Sequence, residues 1–225
     1  MTMRVLVTAG ATQVPIDRVR AITNVFTGRT GTQVAAAIAA LPGARVRLLT
    51  SAPHRAAEWG LPASVDVRGF TTFDELRAQM ESSIATERWP TAIVHSAAVS
   101  DYLVESVTDG SGSPLDPAGK IASGHERLVV RLVKAPKLVD LVRAPWGFSG
   151  TLVKFKLTVG CSDDELESIA RASMRQSGAD AIVANDLAWA DERAMVLQGE
   201  GPVDHVRRPA LAGRIADLLR ATSAG

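Results

Sequence analysis

Cysteine is almost missing from this chain: Cys161 stands alone, which excludes an intrachain disulfide framework. Histidine is nearly as sparse, with His54, His95, His125 and His205 far apart, and no CxxC or HExxH spacing marks a metal held by the protein itself. There is no charge imbalance either. Basic residues number 25 and acidic ones 24, with the signs intermingled, whereas a nucleic-acid binder ordinarily carries a basic face or stripe. No apolar run approaches a membrane span, and the N-terminus passes straight into a strand without a signal-peptide pattern. A soluble cytoplasmic protein with neither nucleic-acid nor membrane partners is therefore expected.

Several catalytic signatures are absent as well. After the first strand, Gly10 has no glycine at Thr12 or Pro15, so the GxGxxG dinucleotide fingerprint is missing, and no GK[ST] completes a Walker A loop. An acid about twenty residues beyond the glycines, which would read a ribose in a dinucleotide enzyme, is replaced by Arg45 and Arg47. No nucleophile elbow or Cys–His arrangement supports acyl transfer through an ester on the protein.

What is present is a 225-residue chain with 46% hydrophobic content, enough for the core of one generous domain spanning 1–225. Uncharged β-branched runs alternate with helical periodicity. Strands are expected at Arg4 to Thr8, Arg45 to Thr50, Ser64 to Gly69 and Thr91 to Ala97, with helices from Thr32 to Leu41 and from a Thr72/Glu75 capping box to about Ile84. Arg127 to Val133, Thr151 to Leu157 and Asp180 to Ala184 are further strands. Pro136 to Arg143, Asp163 to Gln176 capped by Ser162, and Ala210 to about Leu219 are helices, and Ala194 to Gln198 with His205 to Arg208 forms an antiparallel ribbon. This alternation predicts an α/β, three-layer Rossmann-like fold with a mostly parallel central sheet and an additional β-ribbon. Asp109 to Gly119, almost free of apolar residues, reads as the centre of a mobile flap covering about 103–125.

The chain between the first strand and its helix takes roughly twenty residues, where such connections ordinarily take about 2–6. It holds Asp17, Arg18, Arg20, Asn24, Thr27, Gly28 and Arg29. An irregular surface loop is the plain reading. The alternative is a phosphate seat, because Gly28 and Gly31 bring flexible backbone and free N–H groups to a helix start. Asn24 either closes an Asx-turn or turns its amide to a polar substrate. Asp101 follows the uncharged strand 91–97 and Asn185-Asp186 follows another strand, at the carboxyl ends where open α/β sheets bind ligands, although an aspartate there is equally a helix cap.

Lysine is distributed unevenly. All five (Lys120, Lys134, Lys137, Lys154 and Lys156) lie within one stretch, and the remaining basic residues are arginine. Chance clusters residues in a biased chain, but compact ammonium groups and planar guanidinium groups are not interchangeable around phosphates. Lys154 and Lys156 share one strand face, which is either a solvated face or a peripheral one; Lys120 at the flap's far edge and Lys134 at a strand end are better placed to close over an anion. Phosphate seats, amides and lysines without a protein nucleophile fit a ligase whose nucleotide activates the substrate. An NAD(P)-linked oxidoreductase and a non-catalytic nucleotide-binding subunit are the competing classes.

The segments Val5 to Gly31, Ala97 to Tyr102, Lys120 to Ser123, Lys134 to Lys137, Phe155 to Leu157 and Ala184 to Leu187 resemble, in order and spacing, the phosphopantothenate-cysteine ligase family of coenzyme A biosynthesis. The resemblance runs over nearly the whole chain, and its length is similar to the stand-alone bacterial type rather than to the protein fused behind a flavin-dependent decarboxylase. Departures are modest: Ala11, Phe26-Thr27, Arg29 and Thr158 stand where other residues are frequent. The resemblance implies that a nucleoside triphosphate activates the carboxylate of 4'-phosphopantothenate as an acyl-nucleotide, which the amino group of cysteine then attacks. It implies catalytic roles for Asn24 and Lys120, and substrate or nucleotide binding by Gly10, Thr12, Arg20, Thr27, Gly28, Gly31, Ala98, Asp101, Lys134, Phe155 and Asn185. It further implies Mg²⁺ arriving with the nucleotide, CTP in preference to ATP, no flavin, a homodimer, and functional coupling to a separate phosphopantothenoylcysteine decarboxylase.

Overall fold

The computed structural model describes residues 2–222. In chain order the elements are β1 (Arg4–Ala9), β2 (Gln13–Pro15), β3 (Ala21–Thr23), α1 (Arg29–Ala39), β4 (Arg45–Thr50), β5 (Asp66–Gly69), α2 (Phe73–Glu81), β6 (Ala92–His95), β7 (Tyr102–Asp109) and β8 (Leu128–Lys134). Then come α3 (Leu138–Leu141), β9 (Thr151–Thr158), α4 (Asp163–Ser177), β10 (Ala181–Asp186), β11 (Arg193–Gln198), β12 (Asp204–Arg207) and α5 (Leu211–Thr222). Eight strands form one sheet in the order β12-β11-β10-β9-β6-β1-β4-β5. Every pairing from β10 across to β5 is parallel, and β11 and β12 extend the β10 edge antiparallel.

The central strands carry little charge because they are covered on both sides. Alternation along β1 sends Val5 and Val7 to one face and Leu6 to the other. The first face packs under α1 and α5 with Val34, Ile38 and Ile215; the second packs under α2 and α3 with Leu76, Met80 and Leu138. A third cluster seats Leu166 and Met174 of α4 on Ile182 and Met195. The result is the expected three-layer α/β architecture. Both capping boxes are formed, at Thr72/Glu75 and Ser162/Glu165, and α4 ends on Gly178 in the left-handed conformation. Beyond α2 a single π turn, Ser82–Thr86, carries the chain onward. Among the described residues no helix is long and apolar enough to cross a membrane.

Three stretches differ from the sequence expectation. The long connection after β1 is a small antiparallel hairpin, β2–β3, and α1 begins at Arg29 rather than Thr32 because Gly28 supplies the turn. Strand β8 stands outside the central sheet: β6 pairs directly with β9, leaving no slot, and β8 pairs instead with β7 in a separate two-stranded arm. The flap segment accordingly starts as the strand Tyr102–Asp109 before its polar turn. Lys154 is not on a solvated face. It is buried under α4, with Nζ donating to Ser173 O (3.2 Å), Ser173 Oγ (3.0 Å) and Ser177 Oγ (3.2 Å).

Candidate active site

Chain order turns around at β1: β4 and β5 are added on one side of it, while β6, β9 and β10 lie on the other. Connections at such a switch point leave a crevice at the carboxyl ends of the two flanking strands. The chain there continues past both strands as an extra bridge. Ala98 N donates to Gly10 O (2.7 Å) and Thr12 N to Ala98 O (3.3 Å), pairing Ala11 with Ala98 beyond the sheet. Thr12 is fully buried; its Oγ1 accepts from Ser100 N (2.9 Å), and its carbonyl accepts from Thr23 Oγ1 (3.1 Å). Asn24, at the exit of β3, donates its side-chain amide to Ala98 O (3.2 Å). Gly10, Thr12, Asn24 and Ala98 are thus joined by direct hydrogen bonds.

The glycines bring α1 onto this floor. Gly28 has φ +89°, and a Cβ there would sit 2.5 Å from Gly10 N; one on Gly31 would sit 2.3 Å from Ser96 Oγ and 2.7 Å from Ala9 Cβ. Gly28 offers no side-chain cap, so the start of α1 presents backbone N–H groups and the positive end of its dipole beside the crevice. Thr27 is exposed at that point.

On the rim, the β2–β3 turn holds the flap. Asp17 Oδ1 accepts from Val19 N (2.9 Å) and Arg20 N (2.8 Å), while Oδ2 accepts from Ile121 N (3.1 Å) and lies 2.8 Å from Arg20 Nη2. Burial pushes the Asp17 carboxyl up, but these backbone donors and the Arg20 guanidinium outweigh it and hold the group below the ordinary carboxylate range. Arg20 Nη2 also donates to Ile121 O, and Arg18 N donates to Gly119 O (3.2 Å). Lys120 itself is exposed between these anchored residues. A cavity of about 590 Å³ opens at the same turn, lined in part by Arg18, Arg20, Thr23 and Pro117.

At the base of the arm, Ala135 N donates to Asp101 O (2.9 Å), which sets Lys134 beside Asp101 with both exposed. Phe155 and Asn185 lie on the carboxyl halves of β9 and β10, and Asn185 is buried. They share the correct end of the sheet, but no hydrogen bond among the described contacts joins them to the Gly10–Ala98 floor. Asp186, read from sequence together with Asn185 as either a ligand-end residue or a cap, organises the next loop. Its carboxylate accepts from Cys161 N (3.0 Å), Ala188 N (3.1 Å) and Thr158 Oγ1 (2.9 Å), and these donors, led by Cys161, lower it to about 2. Behind the floor, Thr8 Oγ1 meets His95 Nδ1 at 2.9 Å; burial, with Lys154 adding, lowers His95 to about 4 and keeps it neutral. Thr8 and Ser100 carried no reading of their own in the sequence, and Asp17 was named there only among the polar residues of the long connection, without a role. Of the three only Asp17 left a signal, an acidic residue opening a turn closed by Arg20 three positions on.

Among the described residues no group of three or more His, Cys, Asp and Glu side chains is arranged to hold a metal ion. An open, mostly parallel sheet with a helix start and the Gly10–Ala98 bridge at its switch point places this chain in the doubly wound α/β class. More narrowly, it belongs to the family of the DNA/pantothenate metabolism flavoprotein C-terminal domain, whose family model matches residues 1–215. It is 35% identical over 201 residues to the coenzyme A biosynthesis bifunctional protein CoaBC of Thermococcus kodakarensis, covering 87% of this chain and 45% of that protein. Against the CoaBC of Vibrio cholerae it is 29% identical over 228 residues, covering 96% and 52% respectively, so the chain spans about half the length of the curated relatives it matches. The crystal structure of the DNA/pantothenate metabolism flavoprotein from Streptococcus pneumoniae matches with a TM-score of 0.78 at 31% identity, over 97% of each chain.

Proposed function

We propose that this chain is a phosphopantothenate-cysteine ligase, acting in the cytoplasm on 4'-phosphopantothenate, L-cysteine and a nucleoside triphosphate. The observation that carries the proposal is the β2–β3 hairpin at the switch point, whose β3 end delivers Asn24 to Ala98 O beside the glycine-shaped start of α1 and whose turn holds the flap segment that bears Lys120. The chemistry has two steps. A carboxylate oxygen of 4'-phosphopantothenate attacks the α-phosphorus, forming an acyl-nucleotide and expelling pyrophosphate. The cysteine amino group then attacks the acyl carbon; the nucleoside monophosphate leaves, the amide forms, and one proton passes to solvent.

In this reading the start of α1 receives the phosphates through backbone N–H groups, which Gly28 and Gly31 leave uncovered. Asn24, already held on Ala98 O, has its carbonyl oxygen and second amide hydrogen for the pantothenoyl portion. Arg20 takes part at the substrate end, and Gly10, Thr12, Thr27 and Ala98 shape the backbone around it. Asp101 contacts the ribose or base, Lys134 holds the triphosphate, and Phe155 and Asn185 border the nucleotide. Lys120 meets charge that grows on the phosphoryl oxygens, where a fixed cation in a site with little water is most effective. Mg²⁺ would come with the nucleotide, neutralising the triphosphate. Neither step oxidises or reduces anything, so the reaction has no use for a flavin. CTP is the proposed nucleotide.

The deciding measurement is pyrophosphate release by the purified chain, with CTP and ATP in separate runs and with each of the other substrates omitted in turn. Release with CTP that depends on phosphopantothenate, followed by amide formation on adding cysteine, is the expected result. Nucleotide binding without any pyrophosphate release would leave a non-catalytic binding subunit instead.

A further inference from the structure

The flap that carries Lys120 is anchored at one end and local at the other. Its tip folds on itself: Asp109 Oδ1 accepts from Ser111 N and Ser113 N, and Asp116 Oδ1 from Ala118 N. From Gly119 onward the partners change. Gly119 O accepts from the β2–β3 turn, Ile121 is bonded to that turn through both its N–H and its carbonyl, and Ile121 is 4% exposed. Lys120 is therefore bracketed on both sides by residues fixed to one turn.

Asp17 is the centre of this arrangement. To close its own turn the carboxylate needs only Oδ1, which takes the amides of Val19 and Arg20. Oδ2 instead accepts a backbone N–H from a residue 104 positions away and holds Arg20 Nη2, the same group that reaches Ile121 O. Asp17 is itself 4% exposed, and burying a carboxylate is unfavourable unless it is fully bonded, as it is here. The β3 end of the same hairpin delivers Asn24 to Ala98 O. The hairpin thus forms a single frame with Asn24 at one end and the flap anchor at the other.

We propose that Asp17 is a positioning residue: with Arg20 it latches Gly119–Ile121 to the β2–β3 hairpin and so fixes Lys120 relative to Asn24. The catalytic consequence rests on the ligase reading, whereas the latch itself does not.

The test uses the full chain with Asp17→Asn, which keeps the size of the side chain but removes its charge and one of its two acceptor oxygens. Hydrogen exchange should accelerate by about tenfold or more in peptides spanning 117–123, with β1 and β6 peptides unchanged. Pyrophosphate release should fall in kcat by about tenfold while the KM for nucleotide moves less. The decisive comparison is Lys120→Ala in both backgrounds, because a latch that acts through Lys120 makes the two losses non-additive: the Lys120→Ala penalty should shrink when Asp17 is already Asn. Ile121→Ala loosens the anchor from the flap side, should give the same exchange and coupling signatures, and serves if Asp17→Asn fails to fold. Unchanged exchange at 117–123 in a folded variant overturns the latch. Faster exchange with an undiminished Lys120→Ala penalty overturns the positioning role. A wild-type chain that releases no pyrophosphate overturns the ligase reading while leaving the exchange result to judge the latch.

Discussion

At the scale of single residues, lysine chemistry separates by burial. Lys120 is exposed on the rim, and if it meets charge developing on the transferring phosphoryl group, Lys120→Ala should lower kcat by about 10²-fold or more with a smaller change in KM for nucleotide. Lys120→Arg keeps the charge but substitutes a planar fork for a compact donor, so partial rescue is expected. Lys156→Ala should change turnover far less; rapid-quench detection of the acyl-nucleotide in each variant measures the step affected. Asn24→Asp places a negative charge on the Ala98 carbonyl and beside a substrate bearing a carboxylate and a phosphate. It should cripple substrate binding or the cysteine step while the melting temperature stays near that of the wild type, and near-normal turnover in that variant would remove Asn24 from the site. The sequence showed which lysines were concentrated but not which were buried. Lys154 and Lys156 share a strand face by alternation, and what separates them is the pair of α4 serines that receives the Lys154 ammonium, a tertiary contact invisible to a periodicity of two. Burial lowers the Lys154 pKa and the neighbouring Lys137 and Lys156 charges lower it further, with the Asp140 carboxylate offsetting part of the shift.

At the scale of elements, the segments written by local chemistry were legible and those written by distant partners were not. The two capping boxes, the uncharged buried strands and the antiparallel ribbon at the chain's end follow from residues a few positions apart. The β2–β3 hairpin did not stand out, because strands of three residues leave little alternation to read, and its place is set by the flap and by Ala98. The loop 158–162 depends in the same way on Asp186, which lies in β10 and bonds Cys161 N and Thr158 Oγ1. That dependence has a pH signature. The folded pKa of about 2 is below the unfolded value of about 4, so the unfolded chain binds more protons between the two. The Asp186 contribution is therefore complete above pH about 4 and is lost as pH falls toward 2. Other lowered carboxylates, Asp17 among them, titrate in the same direction. Subtracting the denaturation curves of Asp186→Asn from those of the wild type across this range isolates the group. A difference that does not shrink on acidification would show that Asp186 does not hold the loop through its charge.

At the scale of the whole molecule, the doubly wound sheet was legible from the alternation of strands and helices, but its strand order, the switch point at β1 and the position of β8 were not. A run such as Leu128–Lys134 has the composition of a sheet strand, and only the direct pairing of β6 with β9 excludes it. This bears on assembly. An unpaired sheet edge is no reason for a partner here, since both edge strands, β5 and β12, are short and carry charged residues that discourage edge-to-edge pairing. The arm is different. A two-stranded ribbon is marginal by itself, yet β7–β8 exposes Tyr102 (54%), Val129 (54%), Leu132 (43%) and Val133 (46%). We propose that a second copy of the chain covers the Val129/Val133 face of this arm, giving a twofold homodimer in which the arm bases, with Asp101 and Lys134, bring the two sites close to the interface. A charge on each of two strand positions, Val129→Asp with Val133→Asp, should raise the dimer dissociation constant by about 100-fold or more, because each carboxylate would have to be desolvated on association. Sedimentation equilibrium reads that change directly, and a wild-type chain that is a stable monomer at micromolar concentration would sink the proposal. If the double variant is monomeric and folded, its KM for nucleotide tests the placement of the sites: an increase is expected if packing of the arm holds Lys134 and Asp101 in place, whereas an unchanged KM would mean that each crevice is complete within one chain.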